Sequence, residues 1–562
     1  MKVTKKALLL DGYVDEPACF GVPPYISPYV RYAFGVLESH GFETRYLTAD
    51  QWRITCQREA VAEADIITVI SGLTVPGRYR GGSPLTLSEL KDLCGLPRKG
   101  SLFLGGPIRH GYTLKGGSKA LDLVLDGVDC LCTRDPEAAL DHFLKTGELR
   151  PEKTRTYEKI RRWAQLGAKV VKAHPFYPWL VAELELSRGC DRKGGRCSFC
   201  SEGAFSTYEE RPVTDIAEET KALADSGVTA FRFGRCSNIL SYGGTDTLCG
   251  IRPEPSKIKE LYAAVRGACP DLEVLHTDNC NPLTIAAFPD ESLGTLEEIC
   301  RWNTEGDVLS LGIESLDPKV RKLNNLKVDA ETALRVVRLI NVAGGHRKRK
   351  RGLPTALPGL NFLAGLAGED KGSFEANRLF LKRLVEENLT VRRINIRQAM
   401  IFPRTPLARL SKENPSKAGK KAFMKWKNWV REEIDPIMLK RVAPTGTVIK
   451  RVRIEERQGR LCFGRPLGSY PLLVGIITST EPECEVIDVV VTDHGSRSVT
   501  GIPCPVDINR CGFEEIEALP GIGKARARRI IQARPFACYQ DLAAILDEPG
   551  VLDGISELLA FR

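Results

Sequence analysis

The sequence predicts an α/β protein in several parts: an N-terminal doubly wound parallel sheet, a central partial (β/α) barrel, and a small β-barrel and helical hairpin at the C-terminus. Three observations predict it. Short apolar runs alternate with helical stretches over the first 150 residues, and the alternation resumes from 179 to about 410. Beyond a basic segment, apolar runs separated by turn residues follow one another without helices. With 562 residues, at roughly 150 per domain, three to four domains are expected.

The first domain, 1–150, is read from the runs Ala7–Leu10, Ile66–Ile70, Ser101–Leu104 and Asp129–Cys132, which suit buried parallel strands. Helices Tyr29–Ser39 and Leu85–Leu93 lie between them, and Gly-rich turns follow at Ser71-Gly72 and Gly105-Gly106-Pro107. Such a fold binds ligands at the carboxyl ends of its strands. It lacks G-x-G-x-x-G, which argues against a nicotinamide cofactor. Asp11-Gly12-Tyr13-Val14-Asp15-Glu16-Pro17 and Gly21-Val22-Pro23-Pro24-Tyr25 stand just past the first strand, either as a ligand loop or as a Pro-stiffened turn. Residues 151–178 read as a charged linker ending in Pro175-Phe176-Tyr177-Pro178.

The barrel, 179–410, is read from strands Leu180–Leu186, Ala230–Phe233, Glu273–His276, Val308–Ile313, Leu360–Leu363 and Arg393–Arg397, with helices between them. Chemistry in such a barrel sits at the C-terminal mouth of its strands. The residues 411–447 form a basic helical segment, and 411–460 carries 14 basic against 6 acidic side chains, 14 − 6 = +8 of the chain's +10. Phe423, Trp426 and Trp429 lie there at helical spacing and either pack on the barrel or stack on bases. His346-Arg347-Lys348-Arg349-Lys350-Arg351 is a second basic run, either a solvated loop or a polyanion contact. Residues 448–503 form the β module and 504–562 the hairpin.

The composition, 43% hydrophobic and 27% charged, is that of a globular protein rather than a disordered or fibrous one. No stretch approaches the roughly 18 apolar residues of a membrane span, so no membrane partner is expected and a cytoplasmic location is. There the 18 cysteines are expected as ligands, catalytic groups or core residues rather than disulfides. Cys190, Cys197 and Cys200 fall within eleven residues, in Ser187-Arg188-Gly189-Cys190-Asp191-Arg192-Lys193-Gly194-Gly195-Arg196-Cys197-Ser198-Phe199-Cys200, directly after the first barrel strand. A structural zinc wants four closed ligands, with Cys236 or His276 as distant fourths. Three thiolates instead suit a four-iron cluster that keeps one iron open.

Strand, Ser-Arg-Gly-Cys loop and the aromatic Phe199 before the last cysteine resemble the radical SAM superfamily, whose usual spacing is C-x3-C-x2-C. Here the first gap is six residues. The resemblance implies a [4Fe-4S] cluster on Cys190, Cys197 and Cys200, with S-adenosyl-L-methionine (SAM) chelating the open iron and an electron cleaving it to a 5′-deoxyadenosyl radical. It implies an electron donor such as ferredoxin or flavodoxin. Phe231-Arg232-Phe233-Gly234-Arg235 ends the second strand, where relatives touch the methionine end of SAM. Leu311-Gly312-Ile313-Glu314-Ser315 resembles the strand end that contacts its amino acid or ribose, and the turn Leu363–Asp370, with Gly365, the one near adenine. Phe199, Gly234, Arg235, Glu314, Ser315 and Gly365 are thus the candidate cofactor-binding residues. Cys236 and Tyr242 are candidates for quenching a substrate radical.

Some radical SAM proteins carry a doubly wound domain that binds cobalamin, often through Asp-x-His-x-x-Gly, which neither His40 nor His110 occupies. In methylthiotransferases the corresponding domain brings three cysteines to a second cluster. Cys19, Cys56 and Cys94 assign none, and Cys130 and Cys132 share one strand face as core residues. The 448–503 module, with Ile487–Thr492 and Ser498–Gly501, resembles the TRAM module those enzymes use to hold tRNA. Pro520-Gly521-Ile522-Gly523-Lys524-Ala525-Arg526-Ala527-Arg528-Arg529-Ile530 resembles a helix-hairpin-helix motif, whose turn opens a helix N-terminus toward phosphate. Gly521, Gly523, Lys524, Arg526 and Arg528 are its candidate nucleic-acid contacts, backbone-directed rather than sequence-specific.

The expectation is a radical SAM enzyme, a transferase acting on nucleic acid, RNA over DNA, by methylation or methylthiolation. A cobalamin-dependent methyltransferase of a protein or small molecule is the competing enzyme. A nucleic-acid-binding iron–sulfur protein without catalysis is the competing class.

Overall fold

Apolar, β-branched runs flanked by glycine turns become the strands of the N-terminal layer. In the computed structural model, which describes residues 5–562 except 17–18, 56–57, 73–81, 113–116, 203–206, 460 and 479–483, these are β1 (Lys6–Asp11), β3 (Glu43–Thr48), β4 (Ile66–Ile70), β5 (Ser101–Gly105) and β6 (Cys130–Leu131). β2 is Tyr25–Ile26. Cys56 lies outside the described residues. All neighbours pair in parallel, in the order β3-β1-β4-β5-β6. The doubly wound sheet is therefore as expected, with its topological switch between β1 and β4. β3 was not legible, because Glu43-Thr44-Arg45 lie on an exposed edge and mask the strand.

β2 leaves the N-terminal sheet altogether. It pairs in parallel with β7 (Val181–Glu185), Tyr25 beside Val181 and Ile26 beside Ala182. The rest of the barrel is β8 (Ala230–Arg235), β9 (Val274–His276), β10 (Asn279–Cys280), β11 (Asp307–Glu314), β12 (Ala356–Ala364) and β13 (Arg393–Gln398). Two sheets, β2-β7-β8-β9 and β10-β11-β12-β13, are joined where Thr277-Asp278 interrupts one strand. Asp307 accepts from the Thr277 backbone (2.8 Å) and hydroxyl (3.0 Å) across that break. Helices such as Val213–Asp225, Pro255–Ala268 and Pro289–Trp302 cover the outside.

The charged linker is itself a helix, Tyr157–Gly167, packed on helix Pro28–Ser39. Their backbones touch at Gly35 and Gly167, where a Cβ would stand 1.9 Å from the Trp163 and Arg31 carbonyl oxygens, respectively. The basic helix Gly419–Trp429 packs on the barrel. Trp426 stacks on Phe374 at 5.1 Å and meets Phe362 edge-on at 5.6 Å. The run Arg347–Arg351 is engaged by the protein itself, although Lys348 and Lys350 remain exposed. Arg347 donates to the Arg441 and Val442 carbonyls, Arg349 pairs with Glu305, and Lys350 and Arg351 reach Glu557. It staples the barrel to the C-terminal modules.

The β module is a closed five-stranded barrel of β14 (Val448–Gln458), β15 (Leu461–Arg465), β16 (Leu473–Ile477), β17 (Val486–His494) and β18 (Ser498–Cys504), ordered β14-β15-β16-β18-β17. Its Val448, Val490 and Ile502 share one core with Ile516, Leu519, Ile522 and Ile530 of the terminal helices. The loop between β15 and β16 enters the central barrel. Ser469 accepts from Arg232 (3.0 Å), its backbone N–H donates to His276 Nδ1 (2.8 Å), and the Tyr470 hydroxyl donates to Asp278 (3.0 Å). No described helix is long and apolar enough to cross a membrane.

Candidate active site

The cysteine loop leaves β7 through Ser187-Arg188, which pairs antiparallel with Glu209-Glu210. Gly189 follows at φ +77, and a Cβ there would stand 2.3 Å from the Thr207 carbonyl oxygen. Only glycine turns the chain at this point. Cys197 is buried, and Cys190 and Cys200 are half-buried. Burial raises the Cys190 thiol, and burial with the neighbouring Cys197 and Glu202 charges pushes Cys200 up to about 12. The Cys197 charge acts on both Cys190 and Cys200. Among the described residues, however, no three His, Cys, Asp or Glu side chains are drawn together as a preformed metal site.

Two asparagines hold the loop. Asn324 accepts from the Ser198 hydroxyl (2.8 Å), its carbonyl accepts from Ser198 N–H (3.0 Å), and its amide donates to the Ala367 carbonyl (2.8 Å). It thereby ties the cysteine loop to the turn after β12. Asn325, at φ +50, donates to the Gly194 and Arg196 carbonyls (both 3.1 Å). Arg192 bridges Asn325 (2.6 and 3.0 Å) and the Cys197 sulfur (3.3 Å). Phe199 packs with Val320, Leu326, Leu366, Ala399 and Leu407.

Lys327 completes the constellation. Burial alone would pull its ammonium down, but Cys197, Glu314, Cys200 and Cys190 together hold it above the ordinary lysine value. Glu314 ends β11 at φ +62, in the left-handed region a glutamate seldom adopts. Burial raises its carboxyl to about 7 against the pull of Lys327 and Arg397. Three thiols, an ammonium and a strained carboxyl thus occupy one end of the barrel. The sequence carried no signal for Lys327; the Asn324-Asn325 pair, turn formers after a short helix, was the visible hint.

The other predicted residues are placed less uniformly. Ser315, next to Glu314, is buried and its hydroxyl accepts from Asp317 N–H at 3.4 Å. Gly365, at φ +84, donates its N–H to both Glu369 oxygens (3.0 and 3.1 Å). Gly234 makes room inside the barrel: a Cβ there would stand 1.5 Å from Glu183 Oε2. Arg235 is buried among carboxylates, 2.8 Å from Glu16 and 3.6 Å from Glu185 and Glu202. Cys236 lies buried with its thiol raised to about 12, chiefly by burial, and Tyr242 donates to the Arg211 carbonyl (2.6 Å).

Both ligand-binding edges meet here. The carboxyl end of β1 reaches β8 through Glu16–Arg235, and Gly117 and Ala120 donate to the Ala399 and Ile401 carbonyls just past β13. The N-terminal strands therefore point at the barrel mouth.

At the far end of the molecule, Gly521 takes φ +77 and Gly523 precedes helix Lys524–Ala533, with nothing within 4 Å of where its Cβ would be. Lys524 and Arg528 are exposed. Arg526 is engaged internally, 2.7 Å from Asp547, 3.0 Å from Glu548 and donating to the Gly521 carbonyl (2.6 Å). Those acids lie some twenty residues downstream, so the run read as purely basic in sequence is partly neutralised in space.

Residues 184–363 match the radical SAM superfamily and 504–547 the helix-hairpin-helix motif. An uncharacterized protein of Archaeoglobus fulgidus is 39% identical, covering 96% of this chain and 97% of its own. One of Methanocaldococcus jannaschii is 40% identical, over 88% and 93%. Among solved structures, the cobalamin-dependent S-adenosylmethionine radical enzyme OxsB, with aqua-cobalamin and S-adenosylmethionine bound, is 11% identical, with a TM-score of 0.48 over 76% of this chain and 66% of that one.

Proposed function

The chain belongs to the radical SAM superfamily, and from that premise we propose that it modifies a nucleic acid, RNA in preference to DNA, by a reaction that begins with reductive cleavage of SAM. The observation that carries this reading is the gathering of Cys190, Cys197, Cys200, Lys327 and Glu314 at one end of the barrel. The donor set fits a cluster: three thiols facing one cation, on a glycine-turned loop pinned by Asn324. Held by the three cysteines, a [4Fe-4S] cluster would leave one iron for SAM and supply the electron that cleaves it.

The chain's own residues do the rest. Lys327 favours ionised thiolates and offers a positive partner to a carboxylate in the same space. Glu314 is a carboxyl within reach of an amine or ribose hydroxyl. Phe199 packs the loop against the turn after β12. Lys524, Arg528 and the exposed N-terminus at Gly523 suit phosphate contacts. Two assays test the reading. Reconstituted protein with dithionite is expected to form 5′-deoxyadenosine from SAM, and Cys197→Ala to form none. RNA from cells lacking the gene is expected to lose a modified nucleoside; an unchanged profile overturns the RNA assignment.

The facing strand ends favour a second reading, methyl transfer through cobalamin lodged between the layers. The glycines at the switch point do not form an open cradle. A Cβ on Gly12 would stand 2.8 Å from the Ile70 carbonyl oxygen, and one on Gly72 2.7 Å from Asp15 N. We derive no step through cobalamin; corrinoid bound after anaerobic purification would decide for it.

A further inference from the structure

The wrapped sheet leaves a seam between its edge strands β2 and β13. A cavity of about 620 Å³ lies there, walled also by β14 and by the loop between β15 and β16. That volume is in the range of sites that hold one small molecule. Phe20, Phe176, Trp179 and Tyr470 line it and are half-buried, each with an arginine near its ring: Arg232, Arg453, Arg451 and Arg393 in turn.

Arg393 and Arg397 enter from β13, on one face with Asn395 between them. Neither meets a carboxylate within ion-pair distance among the described residues, although the Arg397 charge acts on Glu314 from farther off. The chain's buried arginines, by contrast, are each paired with acids. Arg31 and Arg211 pair with Glu219, Arg155 with Glu137 and Glu185, Arg232 with Glu183 and Asp278, and Arg235 with Glu16. Arg393 is half-buried and rests on the Tyr470 ring, 3.7 Å from its centroid. Asp278, whose charge reaches it, is already bound by Arg232 (2.7 Å), Tyr470 (3.0 Å) and Ser310 (2.9 Å). The acids on the cavity wall are occupied too: Glu455 lies 3.9 Å from Arg465, and Asp15 and Glu456 have other partners. A guanidinium cannot shed its charge, so two of them side by side on a cavity wall, neither in an ion pair among the described residues, suit an anion from outside.

We propose that the seam cavity binds a single nucleotide, its base against the aromatic rings and its phosphate on Arg393 and Arg397. Stacking tolerates any base, and guanidinium forks match phosphate. This deepens the nucleic-acid reading above and rests on it. The nucleotide is either free or extruded from an RNA strand.

Uridine 5′-monophosphate is the probe, since it avoids any site for the adenosine of SAM. Full-length protein, purified anaerobically and without SAM or reductant, is titrated by calorimetry and by tryptophan fluorescence. Saturable binding is expected, with uridine at the same concentrations giving none. Arg393→Gln and Arg397→Gln should each weaken binding at least tenfold, whereas Arg383→Gln on an outer helix should not. If Arg393→Gln fails to fold, Arg397→Gln carries the test. A hairpin RNA with one bulged uridine that displaces the nucleotide identifies the extruded form; binding that this RNA does not displace identifies the free one. Absence of saturable binding, or binding unweakened in the folded variants, overturns the proposal. Because neither cluster nor SAM takes part, that failure leaves the SAM-cleavage assay unaffected, and loss of SAM cleavage would leave this one unaffected.

Discussion

Lys327 stands where three thiols and a glutamate converge, and its role is electrostatic. Removing the ammonium should leave the backbone intact and disfavour the thiolates. Lys327→Met is expected to fold, to incorporate several-fold less iron and sulfide on reconstitution, and to bind SAM about tenfold more weakly, ~1.4 kcal/mol. Iron analysis and equilibrium dialysis check this. A second buried charge governs pH behaviour. Asp11 ends β1, where burial raises its carboxyl to about 7 although Tyr46 and Tyr13 N–H hydrogen-bond to it. A carboxyl raised on folding stabilises the fold fully below about pH 4, and that contribution is gone once the pH rises through about 7. That rise corresponds to about 4 kcal/mol. Asp11→Asn should therefore melt close to the parent at pH 4 and well above it at pH 8; equal melting temperatures at pH 8 would refute the assignment.

At the scale of elements, the cysteine loop is fixed by its neighbour after β11 rather than by its own strand. Asn324→Ala deletes the bridge from Ser198 to Ala367, a loss of about 1–3 kcal/mol for buried polar groups left unmatched. Thermal unfolding should shift by a few degrees, and cluster content should fall further than stability does. Gly234→Ala tests the barrel interior, since the added methyl has no room beside Glu183; about 1–3 kcal/mol of destabilisation is expected in denaturant titration. These elements also show what the sequence disclosed. Buried strands such as Ile66–Ile70 and Asp307–Glu314 announce themselves because apolar side chains must be buried whatever the topology, and Arg393–Gln398 by its alternation. β3 hides behind polar edge residues, and β2 is two residues long and defined only by pairing with β7. The cysteine triplet was legible because its spacing is local. Lys327 was not, because its relation to the thiols exists only after β11 and β7 have come together. Arg526 looked like a phosphate contact until folding brought Asp547 and Glu548 beside it.

Across the whole molecule, the C-terminal modules are fastened twice, through the Arg347–Arg351 staple and through Ser469 and Tyr470 inside the central barrel. Lys524 and Arg528 remain exposed at the outer tip. A Lys524→Ala/Arg528→Ala double variant should bind RNA more weakly. Its log–log dependence on salt should be shallower by about 1.4 units, as expected for two lost contacts to a single strand. Arg526→Ala should instead lower the melting temperature, since it breaks the hairpin's own ion pairs. Salt-dependent filter binding separates the two effects.

β2 has one more consequence. Tyr25 and Ile26 are hydrogen-bonded into the catalytic sheet while β1 belongs to the other layer, so residues 12–24 cross from one layer to the other, one of several ties between them. The layers are thus stitched edge to edge, and a clamshell motion wide enough to admit a bulky polymer between them would first have to unzip that stitch. Traffic through this protein is accordingly expected to run sideways.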